Sequence, residues 1–193
     1  MRAMAAFTEI PEGWGLWFHG TPEVFDSFDD AKLAEGHDCN SGLGHFLAAG
    51  FECAMGYAQS FYEAGQPAYV LVVVACEQHS YEASTDEFWC DDESEDDALA
   101  NEAARRAGPR GASMRARLMR EGFRSLVIDE VEGEGAVMAA FEASSMQVLR
   151  RLTLEQAEAL SERLQDYPLP LEPRERFSAI LAFLDAEDVR TLR

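Results

Sequence analysis

A chain of 193 residues can bury one real hydrophobic core and carry an appendage, and 47% hydrophobic with 27% charged residues is the composition of a globular protein rather than a disordered one. The formal charge of −20 argues against non-specific nucleic-acid binding, because the surface would repel phosphates, and it leaves room for an acidic face that meets a basic protein. No apolar run reaches the roughly 18 residues of a membrane helix, and Glu9 and Pro11 interrupt the apolar start too early for a signal peptide, so a cytoplasmic protein without membrane contact is expected.

The first expected strand holds Leu16-Trp17-Phe18 and ends in His19-Gly20-Thr21, after which Pro22 and an acidic-aromatic segment through Phe28 leave the sheet. A strand end of this kind fixes a polar ring beside a backbone without Cβ, which suits close approach of a ligand. Helical potential follows around Ala31–Ala34, then a loop at Asn40-Ser41-Gly42 and a short strand at Phe46-Leu47-Ala48. Residues Phe51 to Phe61 read as a helix, with Ala54, Ala58 and Phe61 on one stripe and Met55 and Tyr57 beside it; Gly65-Gln66-Pro67 ends it. Tyr69 to Cys76 is continuous and β-branched, the pattern of a central strand buried on both faces.

Charge is then segregated. Tyr81 to Asp97 holds nine acidic residues and no basic one, whereas Ala103 to Arg124 holds seven arginines and only Glu121 as an acid. Two segments that face each other electrostatically are expected, or else a pair of recognition surfaces. Between them, 97–107 reads as a helix ended by Gly108-Pro109. Gly122–Asp129 reads as a turn entering a strand and Ala136–Glu142 as its hairpin-like partner around an acidic loop with two glycines, and Met146–Leu149 as one more strand. Thr153 and Gln156 form a capping box for a helix with Leu154, Ala157, Leu160 and Leu164 on one face. Pro168 and Pro170 break it, and Phe177, Ile180, Leu181 and Leu184 give a second amphipathic helix, so 153–193 reads as a helical hairpin that must dock on something. Cys39, Cys53, Cys76 and Cys90 are far apart, without a Cys-x-x-Cys pair. Reduced structural thiols are expected, with no metal site and no disulfide frame.

Three stretches taken together resemble a known superfamily. They are His19-Gly20-Thr21, Gly42-Leu43-Gly44-His45-Phe46-Leu47-Ala48, and Tyr57, which stands eleven residues after Phe46. Gly122-Phe123-Arg124-Ser125-Leu126-Val127 and Ala139-Ala140-Phe141-Glu142 continue the likeness. Over roughly residues 14–150 the chain resembles the His-Tyr-Glu branch of the ADP-ribosyltransferases, the diphtheria-toxin-like and poly-ADP-ribose-polymerase-like group, in its short bacterial and phage form. The resemblance implies an α+β fold, an ADP-ribosyltransferase-like split β-sandwich with helices over 1–152 with an acidic and basic insertion near 80–121. The C-terminal helical hairpin, 153–193, is then an extension.

What the resemblance implies chemically is transfer of one ADP-ribose from NAD, as substrate, to a macromolecular acceptor such as a protein, with release of nicotinamide. An effector, toxin or phage anti-defence factor would fit that activity. Breaking the ribose–nicotinamide bond leaves positive charge on the ribose, which a nearby carboxylate stabilises. His19 would position hydroxyls and serve in catalysis, Gly20 and Thr21 would offer backbone and hydroxyl groups, and Phe46 and Tyr57 would sandwich the nicotinamide. The sequence departs from the family where the catalytic Glu is expected: that position is Val137. Glu134, in the loop just before, is the favoured substitute, with Glu132 and Asp129 behind it and a site without a carboxylate also open. Two rivals stand beside the transferase: an inactive binding or inhibitor protein that uses its acidic face, and an NAD glycohydrolase.

Overall fold

The computed structural model describes residues 10–34, 42–83, 110–128, 135–165 and Ile180. Among them run seven strands: β1 (Trp14–Thr21), β2 (His45–Ala48), β3 (Tyr69–Cys76), β4 (Ser80–Ala83), β5 (Ser125–Ile128), β6 (Val137–Ala140) and β7 (Met146–Thr153). Three α-helices accompany them, α1 (Phe51–Glu63), α2 (Arg110–Arg120) and α3 (Leu154–Gln165), with 3-10 turns at Asp30–Ala34 and Ala143–Ser145. The fold is α+β.

The strands form one mixed sheet in the order β4-β5-β6-β2-β1-β3-β7, antiparallel except for the parallel β4–β5 pair. The sheet is nearly divided. β1 runs beside β3 over its whole length, from Trp14↔Cys76 to Thr21↔Tyr69, and β2 runs beside β6 from His45↔Ala140 to Ala48↔Val137. Between β1 and β2, however, the register holds one residue pair, Phe18↔Ala48. The expected split therefore exists as a seam inside a single sheet, joining a β4-β5-β6-β2 wing to a β1-β3-β7 wing.

Strand alternation decides what covers each face. Trp17, Leu47, Leu71, Val73, Met138 and Val148 share one face with Phe28, which the segment after β1 lays over it. On the other face Phe18, Ala48, Val70, Val72 and Leu152 pack against Ala54 and Ala58 of α1 and Ala157 and Leu160 of α3. Leu43, Leu126, Ile128 and Phe141 pack against Leu118 of α2 on the second wing. Val70 to Ala75 are fully buried, as their β-branched run predicts, although β3 is second from an edge rather than central. Its burial comes from a strand on either side and cover on both faces.

Local signals set the helix limits. Gly65 closes α1 in a left-handed conformation (φ 76°), and its N–H donates to the carbonyl of Tyr62. The capping box forms as expected: Gln156 N–H donates to Thr153 Oγ1 at 3.2 Å, and Thr153 N–H to Gln156 Oε1 at 3.0 Å. α2 begins directly after Gly108-Pro109, a break that the sequence reading uses only to end a helix at 97–107, which lies outside the described residues. Of the expected C-terminal hairpin, α3 is described and Ile180 is helical and buried in the α1–α3 cluster; Phe177, Leu181 and Leu184 lie outside. Ser161 Oγ on α3 donates to Glu52 on α1, a polar tie between the two helices. No described helix is long and apolar enough to cross a membrane.

Candidate functional site

The seam places the first sequence motif. β1 continues through His19, Gly20 and Thr21, which remain paired to Leu71, Val70 and Tyr69 of β3. On its other edge the pairing to β2 has already ended at Phe18, so the last three residues of β1 face the gap between the wings. His19 spans that gap. Its Nδ1 lies 2.8 Å from the carbonyl oxygen of Phe46 on β2. A carbonyl only accepts, so Nδ1 carries the proton and donates.

The charge state of His19 follows from its surroundings. Burial pulls the imidazole pKa down to about 4; the Phe46 hydrogen bond opposes that and nearby His45 adds to it. The ring is therefore neutral at pH 7. With its one proton fixed on Nδ1, its Nε2 presents a lone pair, an acceptor for a hydroxyl group. Phe28 meets the ring edge-on with centroids 5.3 Å apart, and Phe25 lies at 6.1 Å. Arg151 on β7 holds this aromatic segment down, donating from Nε to the Phe25 carbonyl at 2.9 Å and pairing with Asp26.

A second histidine stands beside the first. His45, at the start of β2, is buried, and its Nε2–H donates to Asp30 Oδ1 at 3.0 Å. Burial holds its pKa below the ordinary value and outweighs the opposing pull of Asp30, while the charge of Arg115 pushes the same way as burial. For Asp30, partial desolvation tends to raise the pKa, but hydrogen bonds from His45 and from the Ala143 backbone (2.8 Å) together bring it below the usual carboxylate value. Asp30 thus ties the 3-10 turn after β1, the start of β2 and the turn before β7. Phe28 lies between the two histidines, 5.0 Å from the ring of His45.

Gly20 has a packing reason. A Cβ there would lie 2.2 Å from the Ala54 carbonyl oxygen, 2.7 Å from the Ala58 nitrogen and 2.9 Å from Tyr57 Cβ. The backbone of α1 occupies the space of a side chain, and this contact brings Tyr57 beside the strand end. Ala54 is buried beneath Gly20. Tyr57 is 57% exposed. Phe46 is half-buried among Leu43, Met114 and Leu118 on the helix-covered face, whereas His19 leaves β1 on the Trp17 face. His19 therefore meets Phe46 through its backbone, and Gly20 meets Tyr57 through its helix. Thr21 is buried, and its Oγ1 accepts from the Glu23 N–H at 3.2 Å, a turn-forming bond where the chain leaves the sheet.

Val137 is the first residue of β6, paired with Ala48 and Ile128. Glu134, Glu132 and Asp129 lie outside the described residues. Asp30 and Phe28 are the site neighbours that the motifs did not include, and His45 stands inside the second motif with no role assigned to it. The visible signal for them was the aromatic pair Phe25-x-x-Phe28 directly after the strand, followed by two aspartates. Among the described residues no group of three or more His, Cys, Asp or Glu gathers as a metal site.

No family model matches the sequence, and no curated protein matches it. Two solved structures are similar. The M. tuberculosis MbcT–MbcA toxin–antitoxin complex has a chain with a TM-score of 0.45 and 10% identity, over 76% of this chain and 88% of that one. An anti-CRISPR protein gives a TM-score of 0.39 and 15% identity, over 72% of this chain and 98% of that one.

Proposed function

We propose that this protein is an NAD-dependent mono-ADP-ribosyltransferase that modifies a macromolecule, with a protein as the acceptor. One observation carries the reading: a neutral His19, its proton committed to the Phe46 carbonyl, offers Nε2 as an acceptor at the seam. A ribose hydroxyl is a donor of the matching kind, and a ring fixed by its other nitrogen positions that hydroxyl at little entropic cost. The neighbourhood of Gly20 and Tyr57 supports the same reading, since the aromatic that would stack on nicotinamide belongs to the helix pressed against the strand end. NAD as substrate would bring the scissile bond; His19 would orient the ribose, and Glu134 is the proposed carboxylate for the developing positive charge.

The test is incubation with tagged NAD and a host lysate. Label on a macromolecule together with free nicotinamide is the expected result. Free nicotinamide without label supports an NAD glycohydrolase instead. In Glu134→Gln, turnover should fall by orders of magnitude with folding and NAD binding nearly intact, because the lost interaction acts in the transition state; undiminished turnover removes Glu134 from the mechanism. A second reading, an inactive binding protein on the same scaffold, is favoured by Val137, an apolar residue where the family pattern wants a carboxylate. Absence of nicotinamide release by the wild type with any lysate would decide for it.

A further inference from the structure

Arg115 is a cation that the site as described leaves unused. It belongs to α2, which Leu118 anchors to Leu43, Leu126 and Phe141, and which passes the loop before β2 closely enough that a Cβ on Gly42 would lie 2.9 Å from Ala112 Cβ. Met114, next to Arg115, packs with Phe46 of β2, so the helix carries Arg115 past the start of that strand, and its charge lowers the proton affinity of both Asp30 and His45. Its Nε is buried and has no hydrogen-bond partner among the described residues. Asp30 accepts hydrogen bonds from His45 Nε2 and Ala143 N at Oδ1, and neither of its oxygens lies within hydrogen-bond reach of Arg115 Nε. A buried guanidinium nitrogen with no acceptor loses its water and gains nothing in return, so such a group calls for a partner.

The chemistry of that partner follows from charge and shape. A protein of charge −20 repels anions, and His19 and His45 are both held toward their neutral forms, so neither supplies positive charge at pH 7. A guanidinium keeps its charge when buried and presents parallel N–H groups that match two phosphate oxygens. We propose that Arg115 is the anion-binding residue of this site and takes the diphosphate of a dinucleotide at the β2 end of the seam. Naming the dinucleotide as NAD rests on the transferase reading above; the capture of a diphosphate does not.

The test is calorimetric titration of the full chain with inorganic pyrophosphate, NAD and nicotinamide, in wild type, Arg115→Met and Arg115→Lys. Met preserves the packing of the aliphatic stem, and Lys preserves charge without the fork. Charge-assisted hydrogen bonds of this kind correspond to roughly 10- to 100-fold in affinity. Arg115→Met should therefore weaken pyrophosphate and NAD by at least about tenfold. Nicotinamide affinity and melting temperature should stay unchanged, and Arg115→Lys should recover part of the loss. Equal binding of pyrophosphate by wild type and Arg115→Met, or no pyrophosphate binding by wild type, overturns the inference. If NAD binds both variants equally well, the transferase reading stands and the Arg115 assignment falls. Arg115-dependent pyrophosphate binding without any NAD or nicotinamide binding upholds the anion site and removes the NAD reading. Should Arg115→Met fail to fold, the pyrophosphate comparison between wild type and Arg115→Lys decides, with equal affinity and enthalpy counting against the fork.

Discussion

Adding one methyl group at Gly20 should cost more than any other single-carbon change near the site. The strand conformation there is open to any residue, so the penalty is spatial, and it is set by backbone atoms of α1. Ordinary contact begins at 3.4 Å, whereas the new carbon would sit 2.2 Å from the Ala54 carbonyl oxygen and 2.7 Å from the Ala58 nitrogen. The helix would have to retreat by about 1 Å from β1, loosening Ala54 and Ala58 in the cluster they share with Phe18 and Val72. Overpacking of this kind costs about 1–3 kcal/mol, and in a chain of this length each kcal/mol lowers the melting temperature by about 2–4 °C. A fall of roughly 2–12 °C in Gly20→Ala is expected by thermal melting, with a matching shift of the urea midpoint at unchanged slope. Adding Ala54→Gly should give no relief, because the obstacle is a carbonyl and not the Ala54 side chain. Gly56, exposed on the same helix with nothing within 4 Å of a built Cβ, supplies the contrast: Gly56→Ala should stabilise by about 0.5–1 kcal/mol. A Gly20→Ala protein as stable as wild type would refute the close approach of strand and helix.

Three further outcomes are expected. Between its folded value near 4 and its unfolded value near 6.5, His19 binds fewer protons in the folded state than in the unfolded one, so stability rises with pH across that window. Lowering pH from 7.5 to 5 should remove about 2 kcal/mol by urea titration, and His19→Gln should flatten that dependence, with His45 supplying what slope remains. Thr153→Ala breaks the reciprocal cap at the start of α3 and should cost about 1 kcal/mol, read as a melting temperature about 2–4 °C lower. Tyr57→Ala removes a largely exposed ring, so stability should change little while NAD affinity falls about 2- to 12-fold if the ring stacks on nicotinamide; unchanged affinity would take Tyr57 out of the site.

The strands were legible wherever one physical demand dominated. The valine run of β3, the capping box of α3 and the paired runs of β5 and β6 each state a burial or hydrogen-bond requirement locally. The resemblance led to a split, but where it falls was not legible, because a strand edge that stops pairing leaves no mark on the alternation of either strand. Motif order pointed to His19 and Gly20, yet it could not separate their reasons. His19 proves to be a bridge to a backbone carbonyl, and Gly20 the place where a helix lies against a strand. Asp30 was hidden for a similar cause: its partners, His45 and Ala143, are 15 and 113 residues away, and short-range patterns carry no information at such separations. α2 escaped delimitation because Gly108-Pro109 was read as an end, when the same dipeptide can precede a beginning.

The interleaving of the two wings bears on how the chain is made. Going along the sequence, β1 belongs to one wing, β2 to the other, β3 returns to the first, β4, β5 and β6 fill the second, and β7 goes back to the first. Neither wing can therefore be completed from a contiguous stretch of polypeptide. β3, the most apolar strand, gains its second neighbour only when residues 146–153 have been synthesised, about 70 residues after its own last residue. Until then one edge of a strand built almost entirely of valine, leucine and alanine stays open to pairing with other chains. Such long-range pairings make for slow folding and for aggregation during it. Nascent chains stalled before β7 should engage chaperones, and chains released after α3 should not.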